Sequence, residues 1–157
     1  GYCRFSAATV GRIVLHVAGA ATARNVADSD DVCNALQVLE HCQDVGEDAG
    51  AGRVYLPATE LRAAGVSEAE LRGGATGTAL RGVLAVQVAR SEALLHSGTE
   101  LVHRLTGWPR LAVAGFVAGG AATAAALRRA NYDVLAHHVT PSRPGTAVRA
   151  LRLVARW

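Results

Sequence analysis

Residues 36–57 read LQVLEHCQDVGEDAGAGRVYLP, and the spacing of their side chains predicts a helix with one polar face. At 100° per residue, four polar side chains fall within an arc of about 80° and form what we call the polar ridge: Gln37, Glu40, Asp44 and Asp48. Apolar side chains lie on the opposite face, so one side of this helix is expected to pack against a core. No Lys or Arg occurs between Arg24 and Arg53 to neutralise the ridge.

The polar ridge brings like charges together near the end of the predicted helix. Asp44 and Asp48 are four residues apart, so their Cβ atoms are expected about 5–6 Å apart and their charges repel. The helix dipole also disfavours negative charge at a C-terminus. A divalent cation would relieve both effects, because Mg²⁺ in proteins takes one or two carboxylates together with substrate phosphate oxygens and water. A solvated face of carboxylates is the alternative that this spacing leaves open.

Two further candidate side chains come after the predicted helix. Gly50 and Gly52 are expected to end it, and Pro57 to prevent a helix from restarting immediately. Arg53 and Tyr55 lie between them, where a Gly-rich turn can carry a guanidinium back to a metal-bound diphosphate. For Tyr55, the alternative is a ring in the core with its hydroxyl hydrogen-bonded nearby.

Most of the remaining sequence also has helical spacing, and no run alternates with the period of a strand for more than a few residues. We place an N-cap at Asp28, a capping box at Ser67 and Glu70, and a further helix start at Ser97 with Glu100. The predicted helices cover residues 2–18, 28–48, 67–72, 78–96, 108–130 and 146–157, and a short one begins at residue 97. Residues 140–146 are predicted to be a linker before a basic terminal helix. The predicted fold class is therefore all-α, in one domain over residues 1–157.

Two of these helices have a second interpretation that involves a membrane. Residues 111–127 are 17 uncharged residues between Arg110 and Arg128. A membrane span needs about 20 strongly apolar residues, and this segment is mostly Ala and Gly, so we predict a buried core helix whose small residues let its neighbours approach closely. The basic terminal helix either lies on an anionic bilayer or completes the fold with its Arg side chains in water.

Charge is unevenly distributed along the chain. Seven acidic residues and no Arg lie between residues 28 and 48, whereas the chain from residue 101 onward holds eight Arg and one Asp. This separation suits an acidic site and a basic face that meets phosphate or an anionic membrane, with solvated faces of both signs as the alternative. The two Trp, three Tyr and two Phe give few rings for base stacking, so nucleic acid is not a predicted partner. The three cysteines have no CxxC spacing and are predicted to be free thiols.

The quoted residues resemble the second aspartate-rich motif of the squalene and phytoene synthase family, whose usual form is LQxxNxxRDxxEDxxxGRxYxP. YCRFSAATVGRIVLH, residues 2–16, resembles the family's YCxxxAxxVG helix, and residues 107–135 resemble its late core helices. Glu40 and Gln43 stand where the family usually has Asn and Arg, a variant most similar to the bacterial hopanoid-pathway branch. Cys42 stands where that branch has an aromatic residue. The resemblance implies an isoprenoid synthase-type helical bundle.

The resemblance also implies a metal site on the polar ridge. Asp44 and Asp48 would be catalytic residues that bind Mg²⁺, with Mn²⁺ as the alternative ion, and this metal would hold the substrate's diphosphate. Glu47 would support them. Glu40 would add a carboxylate ligand or order a metal-bound water.

Further residues are implied to contact the substrate. Tyr2, in the YC motif, would be a third catalytic residue in contact with the substrate. Gln37 would line the cavity, and Gln43 would join it in substrate binding. Arg53 and Tyr55 would close over the diphosphate.

The reaction implied is the Mg²⁺-dependent conversion of presqualene diphosphate to hydroxysqualene with loss of diphosphate, in squalene and hopanoid biosynthesis. One alternative is a phytoene, dehydrosqualene or presqualene diphosphate synthase, which joins two prenyl diphosphates head to head. An alternative of another class is a catalytically silent helical module that binds a membrane or a partner. The expected location is cytoplasmic, peripheral at the inner face of the membrane, with functional coupling to the other squalene-pathway enzymes.

The family also has a first aspartate-rich motif, on a helix that precedes the YC helix. Residues 1–157 contain nothing like it. We therefore expect this chain to be the C-terminal portion of a squalene/phytoene synthase-like domain. With only part of the metal-binding shell, these 157 residues alone are expected to be inactive.

Overall fold

The computed structural model describes residues 7–155, apart from the side chains of residues 143 and 144, and every regular element in that part is a helix. Eight helices succeed one another along the chain: α1 (Ala7–Val17), α2 (Ala23–Gln43), α3 (Val45–Gly50), α4 (Ala58–Ala63), α5 (Glu68–Leu71), α6 (Thr78–Arg104), α7 (Gly107–Arg129) and α8 (Arg143–Ala155). The predicted all-α class is confirmed. The predicted first helix begins at residue 2, and residues 2–6 lie outside the described residues. The prediction that Pro57 prevents an immediate helix restart is wrong, because Pro57 is the N-cap of α4 and proline is tolerated where a helix begins.

The three long helices α2, α6 and α7 pack against one another at the centre, with α1 against α2 and α8 against α7. Their apolar side chains join into one buried cluster. The three long helices approach one another closely at two glycines. A Cβ added at Gly98 would lie 2.5 Å from Val32 Cγ2 and 2.6 Å from Val117 Cγ2, and one at Gly120 would lie 2.9 Å from Leu36 Cδ2. Small residues therefore do bring these helices together.

α7 contains the segment for which a membrane span was the alternative. By length and composition alone it could cross a membrane, but 56% of its most apolar window is buried. Val113, Ala114 and Val117 are among its buried residues, and the helix contacts α2, α6 and α8. Residues 111–127 thus have the surroundings predicted for a core helix.

The start of α2 corrects the prediction of an N-cap at Asp28. The helix begins five residues earlier, where the Thr22 hydroxyl accepts a hydrogen bond from the Asn25 amide at 3.2 Å. Asp28 lies inside the helix and forms an ion pair with Arg104 of α6. A residue suited to a cap was therefore needed for a tertiary contact that the local pattern does not reveal.

The helix start predicted at Ser97 is also wrong, because α6 continues without a break from Thr78 to Arg104. Leu95, Gly98 and Leu101 are buried on both sides of that position. Continuous packing of this face against α2 and α7 outweighs a local capping signal. By contrast, the Ser67 and Glu70 capping box is confirmed, with the Ser67 amide donating to Glu70 Oε2 at 2.9 Å.

The predicted linker at residues 140–146 is shorter than expected, since α8 already begins at Arg143. The Thr146 amide donates to the Ser142 carbonyl at 3.0 Å, so the first helical turn forms within the predicted linker. α8 packs on α7, where Leu153 and Val154 are partly buried against the core and Arg110 donates to the Val154 carbonyl at 2.7 Å. The terminal helix is therefore part of the fold.

Candidate functional site

The predicted helix over residues 28–48 bends at Asp44. This residue separates α2 from α3, with φ −97° and ψ 12°. The helical pattern still bridges it, because the Asp44 amide donates to the Glu40 carbonyl at 3.0 Å and the Asp48 amide to the Asp44 carbonyl at 2.8 Å. A Cβ at Gly46 would lie 3.0 Å from Leu135 Cδ2, so residues 134–139 pack closely on the bend. As a result, the members of the polar ridge face three neighbouring surfaces.

Gln37 and Glu40 lie at the edge of the first surface, an apolar groove of about 230 Å³. The Gln37 side-chain amide donates to Glu40 Oε2 at 3.0 Å. Side chains from α1, α2, α6 and α7 form the walls, among them Val10, Val14, Val32, Leu36, Val113 and Phe116. Gln37, which was predicted to line a substrate cavity, is thus among the residues that line this groove. Cys42 is fully buried in the core and does not line the groove, which Cys33 does.

Asp44 lies in the second surface, a polar pocket of about 380 Å³ that Gln43, Glu47 and His138 also line. His138 lies beside Asp44, with its Nδ1 3.9 Å from Asp44 Oδ1. Burial raises the pKa of Asp44 above its usual range; His138 opposes this, while Glu47 and Asp48 raise it further. The three carboxylates therefore lie close enough to repel one another, as the sequence predicted for Asp44 and Asp48.

Gln43 forms part of this pocket wall through a contact the sequence did not indicate. Its side-chain amide donates to the Val139 carbonyl at 2.5 Å, which ties residues 134–139 to the end of α2. Together with the packing of Leu135 on Gly46, this bond places His138 beside Asp44. Gln43 therefore helps to build the pocket in addition to any contact with a ligand.

Asp48, Arg53 and Tyr55 form the third surface, where the chain reverses after α3. Gly52 adopts φ +76°, and the amides of Gly52 and Arg53 donate to the carbonyls of Ala49 and Asp48 at 3.1 and 2.8 Å. This is a Schellman turn, which needs a residue in the left-handed region and explains the glycine. It returns the Arg53 guanidinium to Asp48, with Nη2 at 3.1 Å and Nε at 3.3 Å from Oδ1.

The Tyr55 ring stacks on His41 of α2, with ring centroids 4.1 Å apart and planes 14° from parallel. Tyr55 is 38% exposed, so it is not the core ring that was the alternative interpretation. Burial lowers the pKa of His41, while the carboxylates of Asp48, Glu40 and Asp44 oppose that effect. His41 is therefore surrounded by three members of the polar ridge.

Arginines outside the acidic segment neutralise part of it. Arg12 pairs with Asp30 at 2.5 Å, Arg104 pairs with Asp28, and Arg53 pairs with Asp48. Within residues 7–155, the acidic side chains of the site that form no pair with an Arg are Glu40, Asp44 and Glu47. These three carboxylates are therefore the ones whose negative charge a bound cation would have to compensate.

These carboxylates suit a magnesium ion that takes some of its ligands from the protein and the others from a substrate and water. Over the described residues, no group of three or more His, Cys, Asp or Glu side chains is arranged to hold a metal by itself. Asp44 and Glu47 nevertheless offer hard carboxylate oxygens at one pocket. Mg²⁺ commonly takes one or two carboxylates and completes its shell with phosphate oxygens and water, so these residues fit it.

Sequence reasoning missed two residues of the site. His41 and His138 carry no motif signal, since their contacts join residues from different elements. The pair of adjacent histidines after α7 is the one visible hint, and it does not point to Asp44. Tyr2 lies outside the described residues.

Comparisons with known proteins identify the family of the chain. The family model described as squalene/phytoene synthase matches residues 1–145. A hydroxysqualene synthase from Sinorhizobium fredii is 41% identical over 105 residues, which are 66% of this chain and 36% of that protein. A phytoene synthase from Thermus thermophilus is 36% identical over 138 residues, which are 85% of this chain and 46% of that protein.

A solved structure is also similar. The crystal structure of a squalene synthase from Alicyclobacillus acidocaldarius matches with a TM-score of 0.77 and 37% identity, over 83% of this chain and 50% of that one. The chain thus spans about a third to a half of the length of these relatives. Because the family match covers almost its whole length, the chain belongs to the squalene/phytoene synthase family.

Proposed function

We propose that the protein carrying this chain converts presqualene diphosphate and water to hydroxysqualene and diphosphate. The observation that supports this most is the position of the apolar groove relative to the carboxylates. Gln37 and Glu40 form its polar edge, and Asp44 comes one helical turn after Glu40, ~6 Å along the axis. A substrate with an apolar prenyl part and a charged diphosphate can place one in the groove and the other at Asp44.

The diphosphate end needs positive charge, because Asp44 and its neighbours are anionic. Asp44 would hold Mg²⁺, or Mn²⁺ as the alternative, with Glu47 and Glu40 in support. Asp48 would join Asp44 as a ligand once Arg53 has moved from Asp48 to the diphosphate. When bound, the ion supplies charge neutralisation that favours departure of diphosphate. Arg53, now on Asp48, adds a guanidinium that can bind the same leaving group bidentately.

The groove residues control the fate of the prenyl part once diphosphate has left. Departure of diphosphate breaks a carbon–oxygen bond and leaves a carbocation on the prenyl part. The apolar walls limit access of bulk water, and the Gln37–Glu40 pair can hold one water at the edge. The oxygen of that water bonds to the cation and transfers a proton to the Glu40 carboxylate, which gives the alcohol.

A head-to-head synthase that joins two prenyl diphosphates is the second candidate, since the phytoene synthase from Thermus thermophilus matches more of the chain than the hydroxysqualene synthase does. The same groove and carboxylates would serve that reaction. A catalytically silent helical module is the candidate of another class.

The experiment uses the protein at its natural length, incubated with Mg²⁺ and presqualene diphosphate or farnesyl diphosphate, with the extracts read by mass spectrometry. Hydroxysqualene from presqualene diphosphate is the expected result. A product formed only from simple prenyl diphosphates would move the protein to the second candidate, and no product from either substrate would favour the silent module. The 157-residue chain assayed in parallel is expected to be inactive.

We further propose a cytoplasmic location at the inner face of the membrane, with coupling to the enzymes that act before and after it. The product is strongly apolar, and α8 combines Arg149 and Arg152 with the exposed side chains of Val148 and Leu151. Flotation with anionic vesicles would show binding, and an Arg149→Glu and Arg152→Glu double variant should lose it.

A further inference from the structure

The segment of residues 53–56, immediately after the turn that ends α3, carries two proposed substrate contacts and is largely exposed. Arg53, Val54 and Tyr55 all face solvent in part, and Leu56 is the one buried side chain among the four. The Schellman turn fixes where this segment begins. Something further along must fix where its side chains point.

The ion pair between Arg53 and Asp48 is too exposed to do this alone. The Arg53 side chain is 51% exposed, and ion pairs of exposed arginines contribute little because water competes for both charges. Arg53 would also have to leave Asp48 in order to bind a diphosphate. The segment therefore needs an anchor that does not depend on this ion pair.

The stack of Tyr55 on His41 provides such an anchor. The rings lie nearly parallel at 4.1 Å, and His41 is held in the last turn of the long helix α2. His41 is the residue after Glu40 and precedes Asp44 by three residues, so its ring is fixed relative to the carboxylates. Tyr55 is two residues beyond Arg53, which ties the position of the guanidinium to that of the stack.

We propose that His41 is a positioning residue, whose ring holds Tyr55 and thereby keeps Arg53 over the carboxylates while its guanidinium exchanges Asp48 for the diphosphate of the substrate. This role rests on the proposed function. In this role His41 contacts the segment of residues 53–56 and does not contact the reacting atoms.

The first test measures the segment without any ligand. In the metal-free protein at its natural length, trypsin cleavage after Arg53 reports how often residues 53–56 leave the surface. His41→Ala should accelerate this cleavage about two- to tenfold, the range that loss of an aromatic pair predicts. His41→Phe retains a ring and should cleave like the wild type, as should His96→Ala, a control at an exposed position of α6.

The second test measures turnover. His41→Ala should raise KM for the prenyl diphosphate several-fold and change kcat less than twofold, and His41→Phe should restore KM. Equal cleavage in His41→Ala and wild type, or a His41→Phe variant as impaired as His41→Ala in both tests, would overturn the proposal. A wild-type protein without turnover would instead overturn the proposed function, and the diphosphate role with it, whatever the cleavage ratio.

Discussion

Gly98 is the point at which α2, α6 and α7 meet, so one added methyl group there tests the packing that positions the whole site. In Gly98→Ala, the new Cβ would lie 2.5 Å from Val32 Cγ2 and 2.6 Å from Val117 Cγ2, closer than the 3.0 Å below which real Cβ contacts essentially do not occur. Val32 and Val117 are each only 4% exposed. Both valines must therefore move within a filled core.

A matched control separates the free-energy cost of this overpacking from the helix-forming preference of alanine. Gly82 lies in the same helix and is exposed, and nothing is within 4 Å of a Cβ added there. Gly82→Ala should stabilise the fold by about 0.5–1 kcal/mol, because alanine loses less backbone entropy than glycine. Gly98→Ala has the same gain but adds an overpacking cost of about 1–3 kcal/mol. The two variants should therefore differ by about 1–3 kcal/mol in free energy of unfolding.

Thermal unfolding monitored by circular dichroism measures this difference. For a domain of this size, 1 kcal/mol shifts Tm by about 2–4 °C, so Gly98→Ala should melt at least about 2 °C below Gly82→Ala. Equal melting temperatures for the two variants would show that the three helices do not meet at Gly98 as described.

Three further outcomes are expected from the charges and thiols. Asp44→Asn should remove turnover without lowering Tm. Burial raises the pKa of Asp44, so its ionised form opposes folding at neutral pH and the neutral Asn relieves that cost. A clearly lower Tm would show that Asp44 has a structural role. The hydrogen bond from Arg81 lowers the pKa of Asp133, so the Asp133 carboxylate stabilises the fold at neutral pH, and this stabilisation is lost as the pH falls through the lowered pKa. The Tm difference between wild type and Asp133→Asn should therefore shrink from pH 7 to pH 3. A Tm difference that stays constant over this range would contradict the stabilising role of the carboxylate. Burial raises the pKa of the Cys42 thiol to about 12, so iodoacetamide at about pH 8 should label Cys42 only in denaturant. Peptide mass spectrometry measures the labelling, and labelling of Cys42 in the native protein would refute its burial.

Local signals predicted the parts of the fold that are built from local contacts. The Gly52 turn and the capping box at Ser67 and Glu70 depend on residues within one or two helical turns, and both occur as the sequence indicated. The predictions at Asp28 and Ser97 failed where a distant partner decided the outcome. Asp28 is used by Arg104, and Ser97 lies within a continuous packed face.

The candidate site shows the same division. The motif located Asp44 and Asp48 and also the return of Arg53, because all three belong to one continuous stretch. It did not reveal the bend at Asp44, where the side chain of Leu135, distant in the sequence, packs beside Gly46. Nor did it reveal His138 beside Asp44, a contact that exists only once α7 has returned the chain to the end of α2.

The carboxylate of Asp44 is proposed to bind the metal ion that holds the substrate's diphosphate. The measurement that tests this role is the release of diphosphate from presqualene diphosphate at increasing Mg²⁺ concentration. The comparison is between wild type, Asp44→Asn and Asp31→Asn, a control on α2 whose side chain lies about 140° around the helix axis from that of Asp44. We predict Mg²⁺-dependent release by the wild type and by Asp31→Asn, and none by Asp44→Asn. Equal release by Asp44→Asn and wild type, or release that does not depend on a divalent ion, would contradict the account.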